Sequence, residues 1–380
     1  MSQTSPRPGI RVMAHPRRRA QAQDLLDRVP SAGGHPADAP LLVLDPEPDG
    51  PPTPLRTAAA AWAGPYGTAS HRLVLQDDVL PADGFLDLVA EAVAGRPEDP
   101  IAFYGNWNHW NGAAVRLAAL SGAGWARAIP DEYAPSLAVA LPRDLAEKFA
   151  AYAAESLRHG APPDDEALAA FLRERGAALY IAVPNLVEHR GGESLVGNDN
   201  QGPRRSPCFV GDAPDARRTG PGSGTLEALD FYPHFFKGHV YGLTPTGPGG
   251  RYVKTYWDES VRALGIDPGR VRELARWEPV PAVLFRDLAA AGLQIHHATA
   301  AWTAAVLYGA TLERLPAGDR GPDPAVRARA VETIPLGGLA QVVGLPLLRR
   351  VMDPLRRLTE EGLSAGAELA AAAAPLGTPG

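Results

Sequence analysis

The stretch 73-LVLQDDVLP-81 drives an apolar run into two adjacent carboxylates, Asp77 and Asp78, then turns away at Pro81. Two like charges at the end of a buried strand are unfavourable unless something neutralises them. A divalent cation does this well: Mg2+ or Mn2+ takes oxygen ligands and is often held by one or two carboxylates plus substrate phosphates. The same pair also reads as an Asp-rich turn, with Asp77 capping it and Asp78 solvated. A second segment, 184-PNLVEHRGGESLVGN-198, follows the apolar run 179-LYIAV-183 and carries His189 just ahead of two glycines. A proline-broken strand and a glycine turn can aim that imidazole back at a sheet edge, and neutral imidazole suits Mn2+ better than Ca2+. A third cluster, Asp164, Asp165 and Glu166, stands at a helix start. It reads either as N-capping with favourable dipole interaction, or as a general base, Asp165, that takes a proton from an acceptor hydroxyl. The run 103-FYGNWNHWNGAA-114 concentrates aromatics, Asn and His109, and reads either as an exposed loop for sugar or acceptor binding or as a loop whose Trp residues cover the core.

The elements that must position these residues follow from periodicity. Apolar runs at 10–14, 41–45, 72–75, 101–105, 136–141 and 179–183 predict strands, and helical patterns fill 17–29, 55–63, 83–95, 144–160 and 165–176. Asp83 is the expected N-cap of the third helix, and Asp164 or Asp165 that of the last. Strands alternating with helices imply an α/β fold with a mostly parallel sheet flanked by helices. Ligands then sit outside the carboxyl ends of the strands, where Asp45, Asp77 and Asp78 fall. Composition changes near residue 200. The segment 201–225 is rich in Gly, Pro and Arg and reads as a linker. Beyond it, 255–265, 281–292, 298–315, 325–334 and 346–363 have helical periodicity with few strand signals, which predicts a mainly helical C-terminal extension. His296 and His297 lack partners at metal spacing and read as structural. The expected division is a domain over 1–205, a linker over 206–224 and a helical domain of unknown role over 225–380.

The totals limit the class. The net charge of −6 supplies no basic field for nucleic acid, and the run 17-RRR-19 is too local to change that. One cysteine, Cys208, permits no internal disulfide and fits a reducing cytoplasm. No signal-peptide pattern opens the chain and no apolar stretch is long enough for a transmembrane helix. Only three lysines stand among 37 basic residues, a bias of GC-rich bacterial genomes.

The combination resembles the GT-A-fold glycosyltransferases, in particular the family-2-like and lipopolysaccharide-type galactosyltransferase branch. The resemblance covers roughly residues 8–200. It rests on 12-VMAHPRR-18, on 73-LVLQDDVLP-81 as a DxD-type motif in an xDD form, on 164-DDEAL-168, and on 184-PNLVEHRGGESLVGN-198. It implies a Rossmann-like sheet and a metal-dependent transfer of a sugar from a nucleotide-sugar donor, a UDP-sugar above all, to an acceptor hydroxyl of a glycan, peptide or small metabolite. Carried over, Asp78 binds Mn2+ or Mg2+ directly, Asp77 binds the metal or the donor ribose, and His189 is the third protein ligand. Gln76 stands where many members of that family carry Asp or Glu; its amide can still hydrogen-bond a ribose hydroxyl. Asp45 either accepts from a base N–H or ribose hydroxyl, or closes the turn 45-DPEPDG-50. Ala14 and His15 open the first loop, whose backbone could border the base, and Arg56 either meets the diphosphate or is solvated. If Asp165 is the base, the transfer inverts. The alternatives are a nucleotide-sugar-binding or partner-docking protein without turnover, and a nucleotidyltransferase. The last would want a glycine-rich, Lys-bearing phosphate loop where this chain has His15-Pro16-Arg17.

Overall fold

A computed structural model describes residues 8–29, 39–160, 162–191, 202–211, 220–247, 250–316 and 321–373. The chain forms two compact units. The first takes Met1–Gly105, Gly124–Asn200 and Phe209–Ser223; the second takes Asn106–Ala123, Gln201–Cys208 and Gly224–Gly380. The units are therefore interleaved in sequence. Residues 106–123, inside the expected 1–205 domain, group with the C-terminal unit, and 209–223 of the expected linker group with the first. Among the described residues no helix is long and apolar enough to cross a membrane.

The strands of the first unit are β1 (Pro8–Ala14), β2 (Leu41–Leu44), β3 (His71–Gln76), β4 (Val79–Pro81), β5 (Ile101–Ala102), β6 (Trp125–Arg127), β7 (Ala138–Pro142), β8 (Tyr180–Ala182) and β9 (Val187–His189). Its helices are α1 (Arg19–Arg28), α2 (Pro54–Trp62) and α3 (Phe85–Gly95). After α4 (Trp110–Ser121), which belongs to the second unit, come α5 (Arg143–Arg158) and α6 (Asp164–Glu174). The large sheet runs β6-β8-β5-β7-β3-β1-β2 within this unit, and β4 and β9 form a separate antiparallel ribbon. β1 lies parallel between β2 and β3, and β5 is parallel to β8. β7 is antiparallel to β3 and β5, and β6 is antiparallel to β8. The sheet is thus mixed, not mostly parallel. β6 and β7 run against the other five strands, so the chain reverses between β5 and β6 and again between β7 and β8.

β1 and β3 are buried along nearly their whole length, including Arg11 and Arg72, because both faces of the sheet are covered. Ile10, Val12, Leu73 and Leu75 share one core with Leu25 of α1 and Leu88 and Val89 of α3. Trp62, Phe149 and Phe171 form an aromatic cluster of α2, α5 and α6, with ring centroids 5.8 and 5.1 Å apart along that chain. The fully buried Arg72 in β3 donates to the carbonyls of Ala61, Ala63 and Pro65 and lies 3.9 Å from the Tyr66 ring centre. Two expected caps are corrected. Gly84, left-handed at φ 69°, caps α3 in place of Asp83. Pro163 caps α6 with no side-chain hydrogen bond, so neither Asp164 nor Asp165 performs that task.

The second unit is not purely helical. After β10 (Thr225–Leu226), strands β11 (Tyr232–Phe236), β12 (His239–Pro245) and β13 (Tyr252–Tyr256) form an antiparallel sheet. Lys237 and Gly238, both at positive φ (50° and 78°), make the tight β11–β12 turn. Then follow α7 (Trp257–Ser260), α8 (Pro268–Trp277), α9 (Pro279–Ala290), α10 (Ile295–Leu312), α11 (Pro324–Leu339), α12 (Leu345–Arg350) and α13 (Met352–Ala372). Helices α10 and α13 pack through glycines: a Cβ on Gly366 would collide with the Val306 carbonyl, and one on Gly309 with that of Leu363. Residues 103–114 are not an exposed loop. Trp107, Asn106, Asn108 and Asn111 are all buried, and α4 begins at Trp110. Buried Arg116 ties α4 to α11 by donating to the hydroxyl and carbonyl of Thr333 and to the carbonyl of Trp107.

Candidate functional site

Sheet register brings the sequence candidates to one edge. Met13 of β1 pairs with Gln76 of β3, Ala14 pairs with Leu44 of β2, and the Asp45 N–H donates to the Ala14 carbonyl at 3.0 Å. The carboxyl ends of these three strands thus present Ala14, Asp45 and Gln76 side by side. Asp77 and Asp78 form the turn between β3 and β4. Because Val79 pairs with His189 across the β4–β9 ribbon, His189 is held over that turn. His189 Nε2 lies 3.3 Å from Asp78 Oδ2.

Arg18 enters from the short 3-10 turn Pro16–Arg18 after β1. Its Nη1 stands 3.6 Å from Asp77 Oδ1 and 3.6 Å from Asp78 Oδ2. In α1, Gln21 donates to the Asp77 carbonyl at 2.9 Å and fixes the turn. Neither residue was distinguishable in sequence, because a charge run such as 17-RRR-19 reads as a solvated face. Burial, reinforced by the charge of Asp78, pushes the Asp77 carboxyl up to about 6, against the opposing pull of Arg18. Asp77 Oδ2 is buried and has no hydrogen-bond partner among the described residues.

The acidic cluster of α6 joins this edge through Gln76, whose amide donates to Ser136 Oγ at 3.0 Å and to Asp164 Oδ2 at 3.3 Å. Asp164 is buried, and its carboxyl is raised first by desolvation and also by the charge of Asp78. Asp165 is raised to about 7 by burial and then by Asp164, while its Oδ1 accepts the Glu166 N–H at 2.8 Å. A carboxylate near 7 is poised to accept a proton at neutral pH.

Other candidates lie at the same edge but are already engaged. Asp45 and Arg56 hold each other through two charge-assisted bonds, Nε–Oδ1 at 2.7 Å and Nη2–Oδ2 at 2.8 Å. The Arg56 bond holds the Asp45 carboxyl below its ordinary value. Arg56 also donates to the Glu47 and Pro51 carbonyls, so the pair braces the loop after β2. His15 caps the 3-10 turn, its Nδ1 accepting the Arg17 N–H at 3.1 Å.

Among the described residues, no group of three or more His, Cys, Asp or Glu side chains is arranged to hold a metal ion. The two carboxylates, with the unpartnered Asp77 Oδ2, fit a divalent cation whose shell is completed by substrate phosphates. His189 does not fit as a third ligand in this geometry. Its Nδ1 accepts the N–H of Gly191 at 2.9 Å, so the neutral ring carries its proton on Nε2, facing Asp78. A ligating imidazole has the reverse arrangement, with its other nitrogen donating. Gly191 sits at φ 77°, a turn that presents this N–H to the ring. The rest of the segment expected to complete the site, 192–198, lies outside the described residues. No protein-family model matches the chain, and no characterised protein matches it in sequence.

Proposed function

We propose that the first unit is a glycosyltransferase of the GT-A kind. It moves a sugar from a nucleotide-sugar donor, a UDP-sugar, to an acceptor hydroxyl with inversion. The observation that carries this reading is the buried Asp77–Asp78 pair at the end of β3, faced by Arg18 and His189 and linked by Gln76 to an acidic cluster in which Asp165 is held near 7.

Asp77 and Asp78 would hold Mn2+ or Mg2+. When bound, the cation would stabilise the charge developing on the diphosphate leaving group. His189 keeps Asp78 in place by facing its Oδ2, and Arg18 offers a second positive charge beside the diphosphate. Gln76 would accept from a ribose hydroxyl through its amide oxygen, while its NH2 stays on Ser136 and Asp164. Ala14 and His15, with the loop braced by Asp45 and Arg56, would border the base. Asp165 takes the acceptor proton as the acceptor oxygen bonds to the anomeric carbon. The anomeric carbon–oxygen bond to the diphosphate breaks on the opposite face, which inverts the centre.

A second reading, a nucleotide-sugar-binding or partner-docking protein without turnover, is favoured by Arg18, which already faces both carboxylates. Calorimetric titration with UDP-sugars, with and without Mn2+, tests the donor site. Metal-dependent binding that Asp78→Asn abolishes supports it, and undiminished Mn2+-dependent binding in that variant removes Asp78 from the site. Turnover then separates the two readings, because Asp165→Asn should keep donor binding and lose transfer.

A further inference from the structure

The second unit contains a cavity of about 810 Å3, within the size range of small-molecule sites, that the chemistry above does not use. It lies among β12, β13, α7, α8, α9 and α10. Its floor is apolar: Val240, Val271, Phe285 and Trp302 line it and are all buried. Its rim is basic. Helical spacing puts Arg272 and Arg276 four residues apart on one face of α8, and Arg286 joins them from α9. His239 and His296 add two imidazoles, and no Asp or Glu is among the described residues that line the cavity.

Two further observations suit the cavity to a ligand. Arg276 and Arg286 make no ion pair among the described residues, whereas Arg272 lies 3.5 Å from Asp258 and stacks over Trp257 at 5.0 Å. Tyr256 and Ile295, both lining the cavity, are 57% and 55% exposed. Large apolar side chains exposed at a cavity's edge suit a ligand with an apolar body.

We propose that this cavity binds an organic anion with one carboxylate or phosphate head on an apolar body. The head pairs with Arg276 and Arg286, and the body lies on Phe285 and Trp302. The inference does not depend on sugar transfer in the first unit.

The test is calorimetric titration of the full chain with decanoate, decyl phosphate, 1-decanol and inorganic phosphate. The proposal expects saturable one-to-one binding of decanoate or decyl phosphate, whichever head the site prefers. It expects binding at least about tenfold weaker for 1-decanol, from the loss of charge-assisted bonds. Inorganic phosphate should also bind far more weakly, for want of an apolar body. Arg276→Gln with Arg286→Gln should bring the amphiphilic anion down to the level of 1-decanol. Absence of saturable binding by both anions overturns the proposal. So does 1-decanol or inorganic phosphate binding as tightly, or undiminished anion binding by the folded double variant. If the double variant does not fold, the wild-type comparison of the four compounds decides the question.

Discussion

Asp165→Asn separates a buried carboxyl with a raised pKa from a helix cap through stability alone. The Asp165 carboxyl moves from its ordinary 3.8 to about 7 in the folded chain, so folding favours its neutral form. The unfolded chain ionises near 3.8 and the folded chain near 7. Stability therefore falls as pH rises through that window, and the full penalty is present above 7. About three pKa units at 1.36 kcal/mol each set a ceiling of about 4 kcal/mol. Partial exposure and relaxation reduce this to roughly 1–3 kcal/mol. Asparagine keeps an oxygen that can accept the Glu166 N–H and removes the charge facing Asp164. The variant should be more stable than wild type by that amount at pH 8, and the gain should vanish near pH 4. Urea unfolding at pH 4, 5, 6, 7 and 8, with the slope m checked for constancy, measures it. A helix cap would behave oppositely: its loss destabilises by about 1 kcal/mol at neutral pH. A destabilised variant, or a gain that does not grow with pH, would refute the account of Asp165.

Other perturbations follow from the same geometry. Asp77→Asn removes a carboxyl raised to about 6, so it should stabilise the chain above pH 6 and weaken metal-dependent donor binding; unfolding at pH 7.5 and calorimetry read the two effects. Arg72→Met strands the carbonyls of Ala61, Ala63 and Pro65 and should destabilise by about 3 kcal/mol in urea unfolding. Gly366→Ala forces a methyl into the Val306 carbonyl and should cost about 2 kcal/mol, measured the same way. A fragment ending at residue 205 keeps α4 but loses α11, which Arg116 binds, and should aggregate on expression; a soluble, cooperatively melting fragment would show that α4 needs no partner.

How much was legible in sequence depended on whether a signal was local. An apolar run ending in Asp77–Asp78 marks a strand and its loaded end, so β3 and its turn were readable. The antiparallel direction of β7 was not, because periodicity identifies a strand without its direction, and the three-residue β6 is too short to show a period. Helix α4 was hidden because ten of its residues are buried, leaving no polar face to give a helical period. The β11–β13 sheet was hidden for a related reason: in 231-FYPHFFKGHVYG-242 aromatics and histidines fall on both faces of the strands. At the site, the residue types were visible and their pairings were not. Asp45 meets Arg56 across eleven positions, Arg18 looks like any member of an Arg run, and the proton position on His189 is set by a backbone N–H two residues on.

The central claim is tested most directly by turnover of the donor in the absence of acceptor. The purified full chain is incubated with a panel of nucleotide sugars, with and without Mn2+ or Mg2+, and free nucleoside diphosphate is followed. The account predicts slow, metal-dependent release from one donor, a UDP-sugar, and loss of that release in Asp78→Asn. No release from any donor, together with no donor binding by calorimetry, would contradict it.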